Sequence, residues 1–236
     1  MSKIEIKNFS AERGTFKLKP FDLTIEDGEI FAILGYTGSG KTVLLEAIGG
    51  MFHGKTGVIT YNGVDVVSIA PENRGLGFVY QSHVLFPHMK VKDNIEYGLK
   101  MKKVPKEQRK KRVNELMKMF SIEHIADQYP GTISGGESQR TAIARAIALE
   151  PDVLLLDEPF SALDPATRTI LYREIKNIHE NLNCTIVFVT HDFNEAQILA
   201  DRVGILLGGE LLAVTSGADL MNKTYCDKVE MFLGRK

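Results

Sequence analysis

The chain has 236 residues, enough for one large domain or two closely packed lobes. Hydrophobic residues make up 44% and charged residues 25%, a globular balance that excludes a disordered or fibrous protein. The formal net charge of -1 gives no overall field that would attract nucleic acid, so no nucleic-acid partner is expected.

The cysteines and the hydropathy of the sequence indicate in which cellular compartment the protein is expected. Cys184 and Cys226 have neither metal-ligand nor redox spacing, which fits a reducing cytosol. The first ten residues lack the apolar segment of a signal peptide, and no apolar run approaches the roughly 20 residues that span a bilayer. Any action at a membrane would therefore require other subunits that cross it.

The start of the chain is predicted to form strands. Ile4 and Ile6 alternate with charged residues, and residues 16–25 form a second alternating stretch. The continuous apolar run at 30–34 is typical of a strand covered on both faces. A helix with one apolar side is predicted after the glycine-rich segment that follows this run.

The middle of the chain has a different character. From Pro87 to Glu150 the pattern is helical, and α/β elements return with an apolar strand at 153–156 and a helix from Pro165 to Leu182, capped by Asp164. Another buried strand at 185–189, a hairpin and a last helix follow. The sequence thus predicts an α/β fold in which residues 1–86 and 151–236 form a core and residues 87–150 an inserted helical lobe.

A phosphate-binding loop is predicted between the strand at 30–34 and the helix after it. The P-loop pattern is satisfied by Gly35, Tyr36, Thr37, Gly38, Ser39, Gly40, Lys41 and Thr42. The glycines let backbone amides converge, and the helix N-terminus adds positive charge. Lys41 is expected to reach the β- and γ-phosphates and Thr42 to place its hydroxyl on Mg²⁺. The alternative is a glycine-rich turn without a ligand, which Lys41 and Thr42 disfavour.

Two carboxylates follow the apolar strand at 153–156. We expect Asp157 to hold Mg²⁺ through its water shell and Glu158 to orient and deprotonate the water that attacks the γ-phosphate. Such a pair is usually only a strand end, and its coexistence with the P-loop supports the catalytic interpretation.

A second anion site is predicted at another helix start. Ser134 caps a helix that begins with Gly135, Gly136 and Glu137, which expose backbone amides. Alone, Ser-Gly-Gly is most often a flexible turn. Because one P-loop already wraps one side of a triphosphate, a second phosphate-seeking helix start predicts that two copies of the chain meet face to face.

With these motifs in order, the chain resembles the nucleotide-binding subunit of an ATP-binding-cassette transporter over nearly its whole length. The further matches are the signature motif at Ser134 to Glu137, the Q-loop glutamine at Gln81, the D-loop at Ser161 to Asp164 and the switch histidine at His191. The resemblance implies a P-loop NTPase (RecA-like) core with an N-terminal antiparallel β subdomain and an inserted α-helical subdomain.

The resemblance also implies a mechanism and partners. Two subunits form a homodimer around two ATP molecules with Mg²⁺, each ATP held by the P-loop of one subunit and the signature of the other. Gln81 joins the metal site, His191 contacts the γ-phosphate, and Ser161 and Asp164 belong to the dimer interface. The helical lobe is expected to dock against transmembrane permease subunits. That docking edge is expected at Ser82, His83, Phe86, Pro87 and His88.

Within this family, residues 74–81 and 85–89 resemble importers of molybdate or tungstate, and more broadly those of sulfate, polyamines or maltose. This implies an ATPase at the cytoplasmic face of the membrane that drives uptake of a small solute, such as an oxyanion, supplied by an extracytoplasmic solute-binding protein. An importer of another class, an exporter, a non-transport ATPase of the same superfamily and a non-enzymatic binding module are the alternatives. Many in that group carry an additional C-terminal regulatory domain, whereas this sequence ends at Lys236, soon after its last predicted helix.

Two departures from the family pattern concern the ATP site. Arg13 occupies the position where relatives place an aromatic residue that stacks on adenine, so Arg13 and Phe16 are both candidates for the base platform. Ile133 and Glu137 stand where leucine and glutamine are commoner, and neither change is expected to abolish activity. The basic run at 100–112 is interpreted as a solvated helix face rather than a lipid or RNA contact.

Overall fold

The computed structural model describes residues 3–82, 84–161 and 163–235. Its strands are β1 (Ile4–Arg13), β2 (Phe16–Ile25), β3 (Ile30–Leu34), β4 (Thr56–Tyr61), β5 (Val64–Asp65), β6 (Leu76–Val79), β7 (Val153–Asp157), β8 (Thr185–Thr190), β9 (Arg202–Leu207) and β10 (Glu210–Ser216). Its helices are α1 (Lys41–Gly49), α2 (Val91–Met101), α3 (Lys106–Met119), α4 (Gly135–Ile147), α5 (Pro165–Leu182), α6 (Phe193–Leu199) and α7 (Asp227–Phe232). None of the helices in these ranges combines the length and apolarity needed to cross a membrane.

The strands form two sheets. The smaller one is antiparallel, with the order β2-β1-β4-β5. The larger has the order β10-β9-β3-β8-β7-β6, and all its neighbours are parallel except the β9–β10 hairpin. Every residue of β3, β7 and β8 is buried, as expected for strands covered on both faces.

The parallel arrangement determines where the chemistry lies. The carboxyl ends of parallel strands meet at one edge of the sheet, the edge at which open α/β sheets bind ligands. Here β3 leads into the P-loop, β7 ends at Asp157, and β8 ends one residue before His191. Three motifs that are far apart in sequence therefore share one edge.

Helices α2, α3 and α4 pack together and against the large sheet. One apolar cluster joins the helical residues Ile95, Leu116 and Ile143 to Leu154 and Phe188 of the sheet, all fully buried. The helix predicted from Pro165 to Leu182 is present with those bounds, and the Asp164 carboxylate caps it. The α/β fold with an antiparallel β subdomain and helices inserted between the strands of the large sheet is confirmed.

Candidate functional site

The P-loop connects β3 to α1 in a backbone path that requires glycine. Gly40 has a φ of +101°, and a Cβ atom there would lie 2.4 Å from Cζ of Phe16. A Cβ atom on Gly35 would lie 2.0 Å from the carbonyl oxygen of Leu206. The loop is thus held between the hairpin strand β2 and strand β9, and any larger residue would displace it.

Lys41 is the buried cation of this loop. Its side chain is only 5% exposed, and Nζ donates to the carbonyl oxygens of Gly35 at 2.8 Å and Tyr36 at 3.0 Å. Burial lowers the pKa of Lys41, and the nearby Glu158 carboxylate opposes this effect. Ser39 Oγ, in the same loop, is buried without a hydrogen-bond partner among the described residues. A cation with further bonding capacity and an unpaired hydroxyl suit an anionic ligand.

Thr42 and Asp157 bring two oxygen ligands together. Thr42 Oγ1 donates to Asp157 Oδ1 at 3.0 Å. Burial raises the pKa of Asp157, while the hydrogen bond from Thr42 lowers it. Hydroxyl and carboxylate oxygens beside a phosphate loop are the donors that Mg²⁺ prefers, so this pair fits that metal.

Glu158 is where the predicted catalytic residues converge. Its Oε1 lies 3.5 Å from Lys41 Nζ, and its Oε2 lies 3.4 Å from both His191 Nδ1 and Gln81 Nε2. The backbone of Glu158 has a φ of +43°, which costs about 1–2 kcal/mol for a residue with a side chain. Its amide donates to the carbonyl of Val189 at 3.2 Å. The turn therefore holds the carboxylate at the end of β7, beside the end of β8.

The loop that carries His191 is supported by acidic residues. The His191 side chain is 54% exposed, whereas the preceding Thr190 is buried and donates its hydroxyl to the buried carboxylate of Glu195. The amide of Asp192 donates to Thr190 Oγ1 at 3.0 Å, and Asp192 caps α6. Glu195 was not predicted from the sequence, although a glutamate three residues after a capping aspartate is a known helix-start pattern.

The signature residues form a capping box at the start of α4. Ser134 Oγ accepts from the Glu137 amide at 3.3 Å, and Glu137 Oε2 accepts from the Ser134 amide at 2.8 Å. Hydrogen bonds from Ser134, first from its side chain, lower the pKa of Glu137. With Gly135 and Gly136 these residues line a surface depression of about 400 Å³ that contains no P-loop residue. The two phosphate-seeking motifs therefore lie in separate places on one chain.

The D-loop residues lie between these two places. Ser161 Oγ donates to the carbonyl oxygen of Glu158 at 3.1 Å, and Asp164 caps α5 beside the signature depression. Ala162 of this motif and His83 of the expected docking edge lie outside the described residues.

Arg13 and Phe16 differ in their relation to the P-loop. Arg13 Nη1 makes a 2.6 Å ion pair with Glu46, and its guanidinium lies 5.5 Å from the centre of the Phe52 ring. Phe16, which faces Arg13 across the β1–β2 hairpin, packs against Gly40. Of the two candidates for the base platform, Phe16 is therefore the one in contact with the phosphate loop.

Comparison with known proteins places this geometry in a family. Residues 18–161 match the family described as ABC transporter. The molybdate/tungstate import ATP-binding protein WtpC of Thermococcus kodakarensis is 44% identical, over 97% of this chain and 69% of that relative. The probable sulfate/thiosulfate import ATP-binding protein CysA of Chlorella vulgaris is 41% identical, over 99% of each chain.

Solved structures agree with the sequence relatives. A dimeric ATP-binding cassette in a post-hydrolysis state, bound to ADP and Pi, superposes with a TM-score of 0.82 and 31% identity, covering 90% of this chain and 98% of that one. The fold and the family model point to the same ATP-binding machinery. The chain therefore belongs to the ABC transporter family, and it is an ATP-binding ATPase.

Proposed function

We propose that the chain is the ATP-hydrolysing subunit of an importer for a small oxyanion such as molybdate or tungstate. The observation that carries this proposal is the 44% identity to a molybdate/tungstate import ATPase over 97% of the chain. The P-loop, the acid pair Asp157 and Glu158, and His191 also lie at one sheet edge. The sulfate/thiosulfate relative, at 41% identity, supports sulfate import as the second candidate.

ATP binding is assigned to the P-loop. The amides of residues 35–42 surround the phosphates, and Lys41 contacts the β- and γ-phosphates. Thr42 and Gln81 would supply oxygen atoms for Mg²⁺, and Asp157 would hold the ion through its water shell. The metal ion, when bound, neutralises charge on the phosphate oxygens.

Hydrolysis is assigned to the residues around Glu158. The Glu158 carboxylate accepts a proton from water as the water oxygen bonds to the γ-phosphorus and the bond to the β-phosphate oxygen breaks. His191, whose Nδ1 lies 3.4 Å from Glu158, stabilises charge on the transferred group. The products are ADP and inorganic phosphate.

The adenine ring is assigned to a platform at the β1–β2 hairpin. The contact of Phe16 with Gly40 supports Phe16 as the stacking side chain. Arg13, held by Glu46, then borders the base rather than forming its main platform. An aromatic plane beside a phosphate loop suits a nucleoside triphosphate.

Two copies of the chain are proposed to complete each ATP site. In a single chain the signature depression contains no P-loop residue, and a dimer provides the second wall. Ser134 to Glu137 of one subunit then face the P-loop of the other, while Ser161 and Asp164 lie at the interface. The dimeric arrangement of a solved cassette with TM-score 0.82 supports this assembly.

Permease subunits are proposed to dock at the helical side of the molecule, at the cytoplasmic face of the membrane. A groove of about 630 Å³ is lined in part by the ends of α2 and α4, and its lining includes Tyr97 together with Met101 and Leu149, which are 56% and 44% exposed. Exposed apolar residues along a groove suit a protein partner. An extracytoplasmic solute-binding protein would deliver the oxyanion to those permease subunits.

The segment beside this groove is held by the helices. The Asn94 side chain bonds the backbone amide of Phe86 at 2.8 Å, and Arg145 Nη2 donates to the carbonyl of Val84 at 2.7 Å. The Arg145 guanidinium also lies 5.1 Å from the centre of the Phe86 ring. A partner that presses on this segment, which includes Pro87 and His88 of the expected docking edge, would thus act on α4 and its signature residues.

The test of cargo is reconstitution with the co-purified permease and solute-binding protein in proteoliposomes. We expect molybdate and tungstate to stimulate ATP hydrolysis and sulfate to do so much less. Stimulation by sulfate alone would establish the second candidate, and stimulation by none of the three would contradict oxyanion import.

A further inference from the structure

We propose that Arg168 is a positioning residue that joins the D-loop to the loop carrying His191 and thereby sets the rate of hydrolysis rather than the affinity for ATP. This inference rests on the proposed catalytic roles of Glu158 and His191. Arg168 belongs to none of the sequence motifs, and it lies in the first turn of α5.

On the D-loop side, Arg168 contacts the protein backbone. Its Nη2 donates to the carbonyl oxygen of Leu163 at 3.3 Å. Two residues earlier, Ser161 Oγ donates to the carbonyl oxygen of Glu158 at 3.1 Å. The guanidinium is thus connected through a short stretch of chain to the turn that holds the general base.

On the switch side, Arg168 faces two carboxylates. Nη1 lies 3.7 Å from Asp192 Oδ2, and Nε lies 4.0 Å from Glu195 Oε1. Glu195 is only 4% exposed, and its other carboxylate oxygen receives the hydroxyl of Thr190, the residue before His191. A buried carboxylate is costly unless it is paired, so Arg168 stabilises the acid that holds the His191 loop.

These groups enclose one small cavity beside the reacting atoms. A space of about 50 Å³ is lined by Glu158, His191, Arg168 and Glu195, with Ser161, Thr190 and Asp192 completing the wall. In the described part of the chain, Arg168 contacts Leu163, Asp192 and Glu195, and none of these belongs to the P-loop. Loss of the guanidinium would therefore disturb the Glu158–His191 geometry and leave the ATP-binding amides in place.

The test compares Arg168→Gln with the unchanged chain in steady-state ATP hydrolysis. We expect kcat to fall by about tenfold or more, because small misplacements of catalytic groups have effects of that order, while KM for ATP stays within about twofold. Arg168→Lys should recover part of kcat, since it keeps the charge but not the planar fork. Arg173→Gln, on the exposed side of the same helix, is the matched control and should behave like the parent.

A double-mutant cycle tests whether Arg168 acts through Glu195, and Arg168→Lys takes the place of Arg168→Gln in the cycle if the latter is poorly folded. Because Arg168 acts through Glu195, adding Glu195→Gln to Arg168→Gln should lower kcat less than the product of the two single effects. Independent effects, an unchanged kcat in Arg168→Gln, or a raised KM with unchanged kcat would overturn the inference. If Glu158→Gln greatly lowers turnover while Arg168→Gln leaves kcat unchanged, the inference fails and the proposed catalytic role of Glu158 stands; unchanged turnover in Glu158→Gln would instead contradict that proposed role.

Discussion

Glu158 lies beside Lys41, the residue to which contact with the phosphates is assigned. Lys41 Nζ lies 3.5 Å from Glu158 Oε1, and both side chains are largely buried. A triphosphate in the P-loop would contact Lys41 through its phosphate oxygens. Glu158 would then interact with His191, Gln81 and water. We therefore expect Lys41 to pair with the phosphates and Glu158 to act as the base.

Replacing Glu158 with glutamine tests that role. The amide cannot accept the proton of the attacking water, so we expect ATP hydrolysis to fall by about 10²–10⁴-fold with ATP binding retained. An ATP-bound dimer should accumulate and be visible by size-exclusion chromatography. Glu180→Gln, on an exposed part of α5, is the control. Unchanged steady-state turnover in Glu158→Gln would show that another group is the base.

Phe16 offers a test of the base platform. Replacing it with leucine removes the aromatic plane while keeping an apolar side chain against Gly40, so we expect the dissociation constant for the nucleotide to rise by about tenfold. Phe16→Tyr should retain affinity, and Arg13→Ala should have the smaller effect. The readout is the dissociation constant of a fluorescent ATP analogue. A larger loss in Arg13→Ala than in Phe16→Leu would reassign the platform to Arg13.

The residues that sequence reasoning recovers are those whose chemistry is local. Lys41, Asp157 and Glu158 stand beside a buried strand in patterns that few other functions require, and the structure brings them together. Arg168 lies in no such pattern, because its proposed role comes from contacts between α5 and α6 that no local spacing encodes. Phe16 could be given only as an alternative, since its contact with Gly40 is long-range.

At the level of elements, α5 carries a carboxyl group with unusual surroundings. Glu174 is 7% exposed, and one of its carboxylate oxygens is buried without a hydrogen-bond partner in the described part of the chain. Burial raises the pKa of Glu174 to about 7, and the positive charge of Arg140 on the signature helix α4 opposes that rise. The charge state of one residue thus influences the packing of α5.

This predicts a pH-dependent stability. The folded chain binds the Glu174 proton more tightly than the unfolded chain. Protonation of Glu174 therefore contributes to the free energy of unfolding below about pH 4.5, and this contribution is lost as the pH rises through about 7. A rise from the ordinary value of 4.5 to about 7 corresponds to about 3 kcal/mol. The free energy of unfolding can be measured by urea denaturation for the parent and for Glu174→Gln. The value for the variant minus that for the parent should be larger at pH 8 than at pH 5.

The control for this prediction is Glu180→Gln, an exposed position on the same helix. Its stability should follow that of the parent at both pH values. A parent and a Glu174→Gln variant with parallel pH profiles would show that Glu174 ionises normally in the folded chain.

Several elements were predictable from the sequence because their signals are local. The helix at Pro165–Leu182 has both its cap and its N1 proline, and β3 is a continuous apolar run. The strand order of the large sheet was not predictable. In that sheet β3 lies between β9 and β8, and both of these strands come much later in the sequence. The edge-to-face contact of Tyr36 with Phe232, at 4.6 Å between ring centres, joins the P-loop to α7 and has no local signature either.

At the level of the whole molecule, the two motifs to which phosphate binding is assigned lie apart on one chain. Among the described residues, Lys41 and Glu158 are beside each other at the P-loop edge, whereas the depression at Ser134 to Glu137 is lined by no P-loop residue. In the proposed dimer, a second copy related by two-fold symmetry would place its signature residues against each P-loop. Both ATP sites would then form together, and ATP hydrolysis would depend on association of the subunits.

The most direct measurement is ATP hydrolysis by a mixture of two inactive variants. Lys41→Ala removes the P-loop cation, and Ser134→Asp keeps a good helix cap but places a negative charge against phosphate. Each homodimer should be inactive, whereas a mixed dimer has one intact site and should regain turnover. No recovery on mixing, or full turnover by a strictly monomeric parent chain, would contradict a site shared between two subunits.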